Sequence, residues 1–547
     1  MKKFLAIALA LAMILTMVAC GGTTSSSSSS LSSSSQSEDS QSSGASGDED
    51  ASSVAEGDPR WNALQTVDDP VSLYLYWHNL QPTPNEEPTE EAPNVRNACR
   101  YITADWLADH PNVTIDWCQN LEMTDEWITV NYTAGNGPDT LFYWGGAQWV
   151  EKGMALVLDD IIMSPNYYEP GSPRWYDMFP EYVFGPTDMA TNEYKQIIAV
   201  PVILNPGPAT AYYYNKTIFN EMGFEPPTDW DVLKDMELQL KEAGYTPDVP
   251  YTLYLKPAVD CWDAWASLSG YYLTFIPELD LNEDGIVETA EVYRAQYEDG
   301  FFYLENNPGM VEFYDEIMWK YWNAYDEGVE GIDYTANWAE GSVAMRQEGL
   351  WALQDFMSDT TLTFEVGMFP APVKQNSDYI DVTFEYTEAG PYQPTISVAF
   401  NIMDPATQNR PDYVVDYVVD WMKYATTNEN LSIQIEEASG VIGATKGCQI
   451  PSTLIDWFQQ SFPILPSGGG YLKPDFELTK ASFTAIVEEY GKKMITKEEW
   501  IHEFDELLYQ GFTWWLENEG ERLNEWQEEF GWSAEDWTDP VKPSWMA

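Results

Sequence analysis

Residues Ile197 to Leu233 read IIAVPVILNPGPATAYYYNKTIFNEMGFEPPTDWDVL, and the parsing of this stretch decides the fold. Ile197 to Leu204 is an apolar run of strand character, interrupted at Pro201, which removes one ladder donor. Asn205 to Pro208 is a Pro/Gly break, and a second apolar strand follows through Ala211–Tyr214. Asn215 starts a short helix, KTIFNEMG, closed at Gly223 by a left-handed cap. Pro226-Pro227-Thr228 makes a stiff turn, and Thr228 or Asp229 caps the helix WDVLKDMELQLKEAG. Two strands joined end to end by a soft joint, then a new helical layer, describe a chain leaving one domain for another. The alternative is an ordinary strand–loop–strand within one domain.

The run YYYNKTIFNEMGFEPPTDWDVL resembles the extracellular solute-binding proteins of ABC importers, the family 1, maltose-binding-like group. There it marks the first crossing between two lobes of a ligand clamp. The resemblance extends from about residue 70 to 450 and implies an α/β, two-lobe periplasmic-binding-protein type II fold with three interlobe crossings. It divides the chain at 58–203 plus 371–440 for the N-terminal lobe and 204–370 plus 441–547 for the C-terminal lobe.

Upstream of these lobes, Lys2 and Lys3 precede an apolar core from Phe4 to Val18, which ends at Ala19-Cys20-Gly21. That is a signal peptide over 1–19, too short for a span of roughly 20 apolar residues. Its end resembles the lipobox of bacterial lipoproteins, with Met17 where leucine is commoner, so Cys20 is expected to be lipidated. Residues 20–57 are Ser-rich, carry almost nothing to bury, and read as a disordered tether spanning on the order of 30 Å.

The chain has 26 Lys+Arg against 89 Asp+Glu, a net charge of −63. Such a field repels nucleic acid and anionic membranes and disfavours a polyanionic ligand. Aromatic residues make up 15%, with 24 Trp and 34 Tyr, more than a core alone requires. Rings that stack on sugar C–H faces, beside carboxylates and amides that bond hydroxyls, favour a carbohydrate. Beyond Cys20 lie Cys99, Cys118, Cys261 and Cys448. Helix rise and strand return permit a 99–118 bridge, and free buried thiols are the alternative.

In chain order, VSLYLYW (71–77) is a buried strand, NVRNACRYITADWLADH a helix, and Val113–Trp117 a second strand. Gly135-Asn136-Gly137-Pro138-Asp139 and the strand after it resemble the family's Gly-x-x-Pro-Asp, and Gly153, Leu156 and Leu158-Asp159 match its next landmark. In open α/β sheets ligands sit beyond the carboxyl ends of strands. That places Trp77-His78-Asn79 and Tyr143-Trp144-Gly145 at the cleft, in agreement with the resemblance. After the crossing, Tyr251–Leu255 reads as a strand, and Asp260 and Trp262 stand where sugar-binding relatives supply an acid and an aromatic. Gly341, Ala344-Met345, Gly349 and Trp351 resemble the family's G-x-x-A-M-x-x-x-G-x-W, which makes Trp351 the leading stacking platform. Phe364–Pro370 then looks like the return crossing, and Gly440–Ala444 the third. The acidic end from Trp514 on reads as a helix and strap packed on the second lobe, the alternative being a partner-binding strip.

Asp280 to Glu291, DLNEDGIVETAE, fits an EF-hand calcium loop. Asp280, Asn282, Asp284 and Glu291 supply oxygens at positions 1, 3, 5 and 12, and Gly285 makes the turn. Ile286 lends a carbonyl, Glu288 binds directly or through water, and Val287 is the apolar residue at 8. An acidic solvated turn is the alternative. Calcium here would brace a loop and do no chemistry.

Together these imply a monomeric, lipid-anchored receptor on the extracellular face of a bacterial cell membrane. It would capture a sugar, an oligosaccharide by expectation, and deliver it to ABC permease transmembrane subunits, without being an enzyme. The rivals are a secreted carbohydrate-active enzyme, which needs only two carboxylates at the right separation, and a receptor of this fold for a polyamine or peptide.

Overall fold

Val71, Leu73 and Leu75 alternate along an extended segment with side chains that face outward or sit half-buried, so one face of the segment enters a core. The computed structural model describes residues 67–89, 95–122, 124–142, 146–185, 189–192, 194–205, 210–249, 267–280, 289–324, 335–359, 361–381, 386–387, 395–455, 462–463, 477–518 and 540–546. The expected signal peptide with Cys20, the expected tether and Cys261 lie outside the described residues. No helix among the described residues is long and apolar enough to cross a membrane.

The first body opens with β1 (Val71–Leu75), α1 (Ala98–Asp109), β2 (Val113–Trp117), α2 (Asp125–Thr133), β3 (Thr140–Leu141) and β4 (Val200–Asn205). β1 and β2 run parallel, Leu73 opposite Ile115. Thr124 and the paired acids Asp125 and Glu126 start α2, the hydroxyl of Thr124 accepting from the Trp127 amide. Asp139 ties β1 to β3: its carboxylate accepts from the Tyr74 amide, and its own amide donates to the Tyr74 carbonyl. Arg410 pairs with that carboxylate, yet burial still pushes it up to about 6.

The chain then changes sheets. β5 (Thr210–Asn215) is followed by α3 (Lys216–Met222) and α4 (Trp230–Ala243). Asn215 caps α3 through the amides of Thr217 and Ile218, and Gly223 ends it at φ +71°. Asp229, rather than Thr228, caps α4, and Gly244 closes it at φ +91°. Next come β6 (Thr246–Val249), α5 (Ser269–Leu279), α6 (Thr289–Asp299), α7 (Pro308–Asn323), β7 (Val343–Gly349), β8 (Val366–Pro370) and the short β9 (Tyr386–Thr387). β10 (Thr395–Ile402), α8 (Tyr413–Ala425), α9 (Asn428–Ala438) and β11 (Ile442–Gly443) return to the first body. After β12 (Phe462–Pro463), which pairs with β9, the chain ends in α10 (Glu477–Gly491) and α11 (Lys497–Asn518).

Two four-stranded sheets result, β11-β4-β10-β3 and β6-β7-β5-β8, each with its own core. This is an α/β, two-body architecture, and Pro201 sits in β4 where the β10 ladder is bulged, so its missing donor costs little. In the second body Tyr212 stacks on Phe369, with ring centroids 5.3 Å apart. Lys320 reaches Asp248 at 2.8 Å in an almost fully buried cluster with Glu237. α10 and α11 complete this core, Trp500 lying flat on Tyr490. The strap at 540–546 docks there too, its Val541 amide donating to the Tyr297 carbonyl.

Two expected boundaries shift. The second body does not end at 370: Ala371 is in its core, the Lys374 amide donates to Ser267, and the Asp381 amide to Thr274. The return falls between Asp381 and Thr395. The first body likewise continues past 440. Val441 and Ala444 lie in its core, the Ala444 amide donates to the Val202 carbonyl, and Leu454 lies in a second-body cluster with Ala211 and Tyr213. Strand pairing, which is non-local, sets both limits. Cys99 and Cys118 are buried free thiols, Cys99 near the Thr103 hydroxyl, so the 99–118 bridge is not formed. Cys448 is free as well.

Candidate functional site

The joint between β4 and β5 brings together elements of both bodies. Asn205, at the end of β4, pairs with Thr395; Thr210, at the start of β5, pairs with Gly349 at the end of β7. The turn after α9 closes the same region. A Cβ on Gly440 would stand 1.9 Å from the Leu350 carbonyl oxygen and 2.9 Å from the Trp351 Cα, so only glycine allows this approach. The Trp351 indole lies over Gly349, and it packs half-buried against the first-body core although its strand belongs to the second.

The carboxyl end of β1 belongs to the first-body core on which Trp351 packs. His78 adopts φ +43° and sits half-buried, its Nδ1 2.9 Å from the Tyr76 hydroxyl and its ring edge-on to Phe142 at 4.8 Å. Burial, helped by the Arg96 charge, lowers the His78 imidazole to about 4, so it is neutral near pH 7. Burial raises the Tyr76 phenol to about 12. The Thr140 hydroxyl fixes this strand end, donating to the Tyr76 carbonyl at 2.7 Å and lying 3.1 Å from the Tyr76 amide. Arg96 donates from Nε to the Gln81 carbonyl at 3.2 Å. Burial lowers its guanidinium pKa, opposed by the carboxylates of Glu437 on α9 and Asp355 beyond Trp351. Arg96 thus feels the charge of Asp355, which follows Trp351 in the chain.

Near the end of β7, Glu348 is 5% exposed and takes a 3.1 Å hydrogen bond from Arg346. Burial raises its carboxyl to about 7. It faces inward, held by its own strand. The residues so described comprise a neutral imidazole, a phenol, a guanidinium, an exposed carboxylate and an indole. Such a set can bond hydroxyls from several directions and offer a flat apolar face.

Of the residues nominated from sequence, His78 and Trp351 belong to this region. Trp77 does not, and is a correction. It is 0% exposed, stacks on Phe400 at 4.3 Å, and donates its indole N–H to Gln434 at 2.9 Å, which makes it core. Tyr143, Trp144, Asp260 and Trp262 lie outside the described residues. So do Asn282, Asp284, Ile286 and Glu288 of the calcium loop. Its ends are described: Asp280 caps α5, and Glu291 lies fully buried in the first turn of α6, so an oxygen donor stands at each end between two helices. Tyr76, Arg96 and Asp355 were not singled out from sequence, and Gly440 only as the start of the third crossing. Alternation along β1, with Val71, Leu73, Leu75 and Trp77 on one parity and Tyr74 and Tyr76 on the other, carried the signal for the first.

No family model matches the chain, and no curated protein matches it in sequence. Solved structures do. The chain is similar to the SBP RafE in complex with raffinose, at 17% identity over 81% of this chain and 98% of that one, with a TM-score of 0.49. It is similar to a family 1 extracellular solute-binding protein from Bifidobacterium longum subsp. infantis, at 12% identity over 81% and 100%, TM-score 0.48. A cyclic alpha-maltosyl-1,6-maltose binding protein from Arthrobacter globiformis aligns at 16% identity over 81% and 98%, TM-score 0.46.

Proposed function

We propose that the chain is a membrane-tethered receptor that captures a carbohydrate between its two bodies and delivers it to an ABC permease. One observation carries this reading. The half-buried indole of Trp351, just past β7 of the second body, packs against the first-body core that includes Tyr76, beside which lies the His78 imidazole, while Arg96 of the first body feels the charge of Asp355. Stacking on Trp351 would hold a sugar ring, and these polar groups would bond its hydroxyls. The chain crossings between the bodies would let them close on the ligand, and differential affinity for the closed state would drive closure. Cys20 would carry the lipid, with residues 20–57 as tether and the permease as partner of the closed form. Thermal-shift screening of the mature chain over a glycan and small-solute panel tests the ligand class, with oligosaccharides expected to raise Tm. A shift from polyamines or peptides alone would refute the sugar reading. Release of dye from dye-linked glycans would replace the receptor with a hydrolase.

Structural calcium at 280–291 belongs to the same proposal, supported by the loop's donor spacing and by Asp280 and Glu291 at the ends of two consecutive helices. A site at a hundred times its Kd stabilises by about 2.7 kcal/mol. EDTA is therefore expected to lower Tm, and calcium, not magnesium, to restore it. Identical melting curves in EDTA and calcium would remove the metal.

A further inference from the structure

His110 caps the carboxyl end of α1, and β2 follows directly at Val113. Because β1 and β2 run parallel, it stands at the amino ends of this pair, whereas His78 lies beyond the carboxyl end. The His110 ring is half-buried and lies flat on Trp106, with ring centroids 3.9 Å apart. Its Nδ1 is 2.8 Å from the Trp106 carbonyl oxygen, and its Nε2 is 3.4 Å from Oδ2 of Asp420 on α8. Tyr417 of α8 meets the ring edge-on at 6.4 Å.

These contacts set the number of protons on the ring. A carbonyl only accepts, so Nδ1 carries a hydrogen. In the neutral ring Nε2 would then turn its lone pair toward a carboxylate; protonated, it donates there. Turning the ring over would set carbon atoms against both oxygens. Asp420 is 4% exposed, and its Oδ2 also accepts from the Trp106 indole at 3.0 Å and the Tyr168 hydroxyl at 2.8 Å. Both donors are neutral, so they bond the carboxylate without balancing the charge that burial makes costly. Lys423, on the next turn of α8, donates to the Ser164 hydroxyl and the Pro165 carbonyl. The indole face under His110 and the carbonyl end of α1 both favour a cation. Burial opposes the charge, but Asp420, the Trp106 carbonyl and Asp109 outweigh it and raise the imidazole above its ordinary 6.5. Burial raises the Tyr168 phenol as well, so it stays neutral over the same range.

We propose that His110 is a proton-dependent clasp of the first body: as the imidazolium it ties the carboxyl end of α1 to Asp420 of α8, on the oxygen that also holds Tyr168. Its contribution is complete below pH 6.5 and is lost as pH rises through the folded value, so the first body loosens toward alkaline pH. The clasp is independent of what the two bodies capture.

The test uses the full chain with 15N- and 13C-labelled histidine. The chain has three histidines, so His78→Gln and His110→Gln assign the ring signals. In the parent, His110 is expected to titrate above 6.5, and its neutral form to carry the hydrogen on Nδ1. Asp420→Asn is expected to lower that midpoint, because burial then meets less opposition. In melting curves the parent should exceed His110→Gln by a few degrees at pH 6 and by less at pH 9. A parent His110 that titrates at or below 6.5, or a neutral form with the hydrogen on Nε2, overturns the proposal. So does a gap in Tm that is equal at pH 6 and pH 9, which would mark a side chain that only packs. The parent spectra and the His110→Gln melts decide the matter even where Asp420→Asn does not fold.

Discussion

The ends of β1 and β7 each carry a tryptophan just past the last paired residue, and the two rings have opposite fates. Along β1, Val71, Leu73 and Leu75 point into the core, and Trp77 keeps their parity. Its indole N–H is satisfied by Gln434, and Phe400 and Trp421 flank the ring. β7 stops at Gly349, and the short turn that follows breaks parity before Trp351 is reached. Its ring folds back over the glycine and onto the other body. Position at a strand end does not make an aromatic a ligand platform; leaving the strand's alternation does. Truncating each ring should separate the roles. Trp77→Ala is expected to cost about 3–5 kcal/mol in denaturant unfolding, with affinity for sugar unchanged in the folded fraction. Trp351→Ala should leave stability nearly intact and weaken the captured sugar by roughly 2 kcal/mol or more in titration calorimetry. Equal losses of stability in the two variants would erase the distinction.

The second prediction tests the contact that gives β7 its partner in the first body. Gly440 admits the Leu350 carbonyl where any Cβ would collide with backbone, which cannot yield as a flexible side chain would. Gly440→Ala is expected to destabilise by about 1–3 kcal/mol and to weaken ligand capture along with it, because the turn and the Trp351 platform are pushed apart. Gly223→Ala, on the open surface, offers the control. Strain at its positive φ would cost stability without touching affinity.

Local chemistry explains what could be read in advance. Asn215, Asp229, Gly223 and Gly244 act within a few residues of themselves, and the joint between β4 and β5 was legible from the Pro/Gly break. The later boundaries were not, because Ala444 is held in the first body by Val202, and Asp381 in the second by Thr274. Nothing near those residues encodes such partners. Trp351 and His78 emerged through motif and strand-end position. Arg96 follows a Pro-rich loop with no pattern of its own, and Asp355 is one acid among 89 Asp and Glu. Both gain meaning only from the juxtaposition of distant segments.

The two strand ends also differ in how protons act on them. At β1, burial lowers His78 from 6.5 to about 4. The unfolded chain takes up this proton first, so the contribution is complete above pH 6.5 and is lost as pH falls toward 4. At β7, burial raises Glu348 from 4.5 to about 7. Here the folded chain holds the proton longer, so stability is complete below pH 4.5 and is lost as pH rises through 7. Each end favours its uncharged form, and the pH windows overlap with opposite slopes. Scanning Tm from pH 4 to 8 should show Glu348→Gln removing a decline toward neutral pH, and His78→Gln removing a rise over the acid side. Each change should amount to a few degrees. Two variants whose profiles stay parallel to the parent would mean that both groups titrate as if in solvent, which would undo the picture of a dry junction on either side of Trp351.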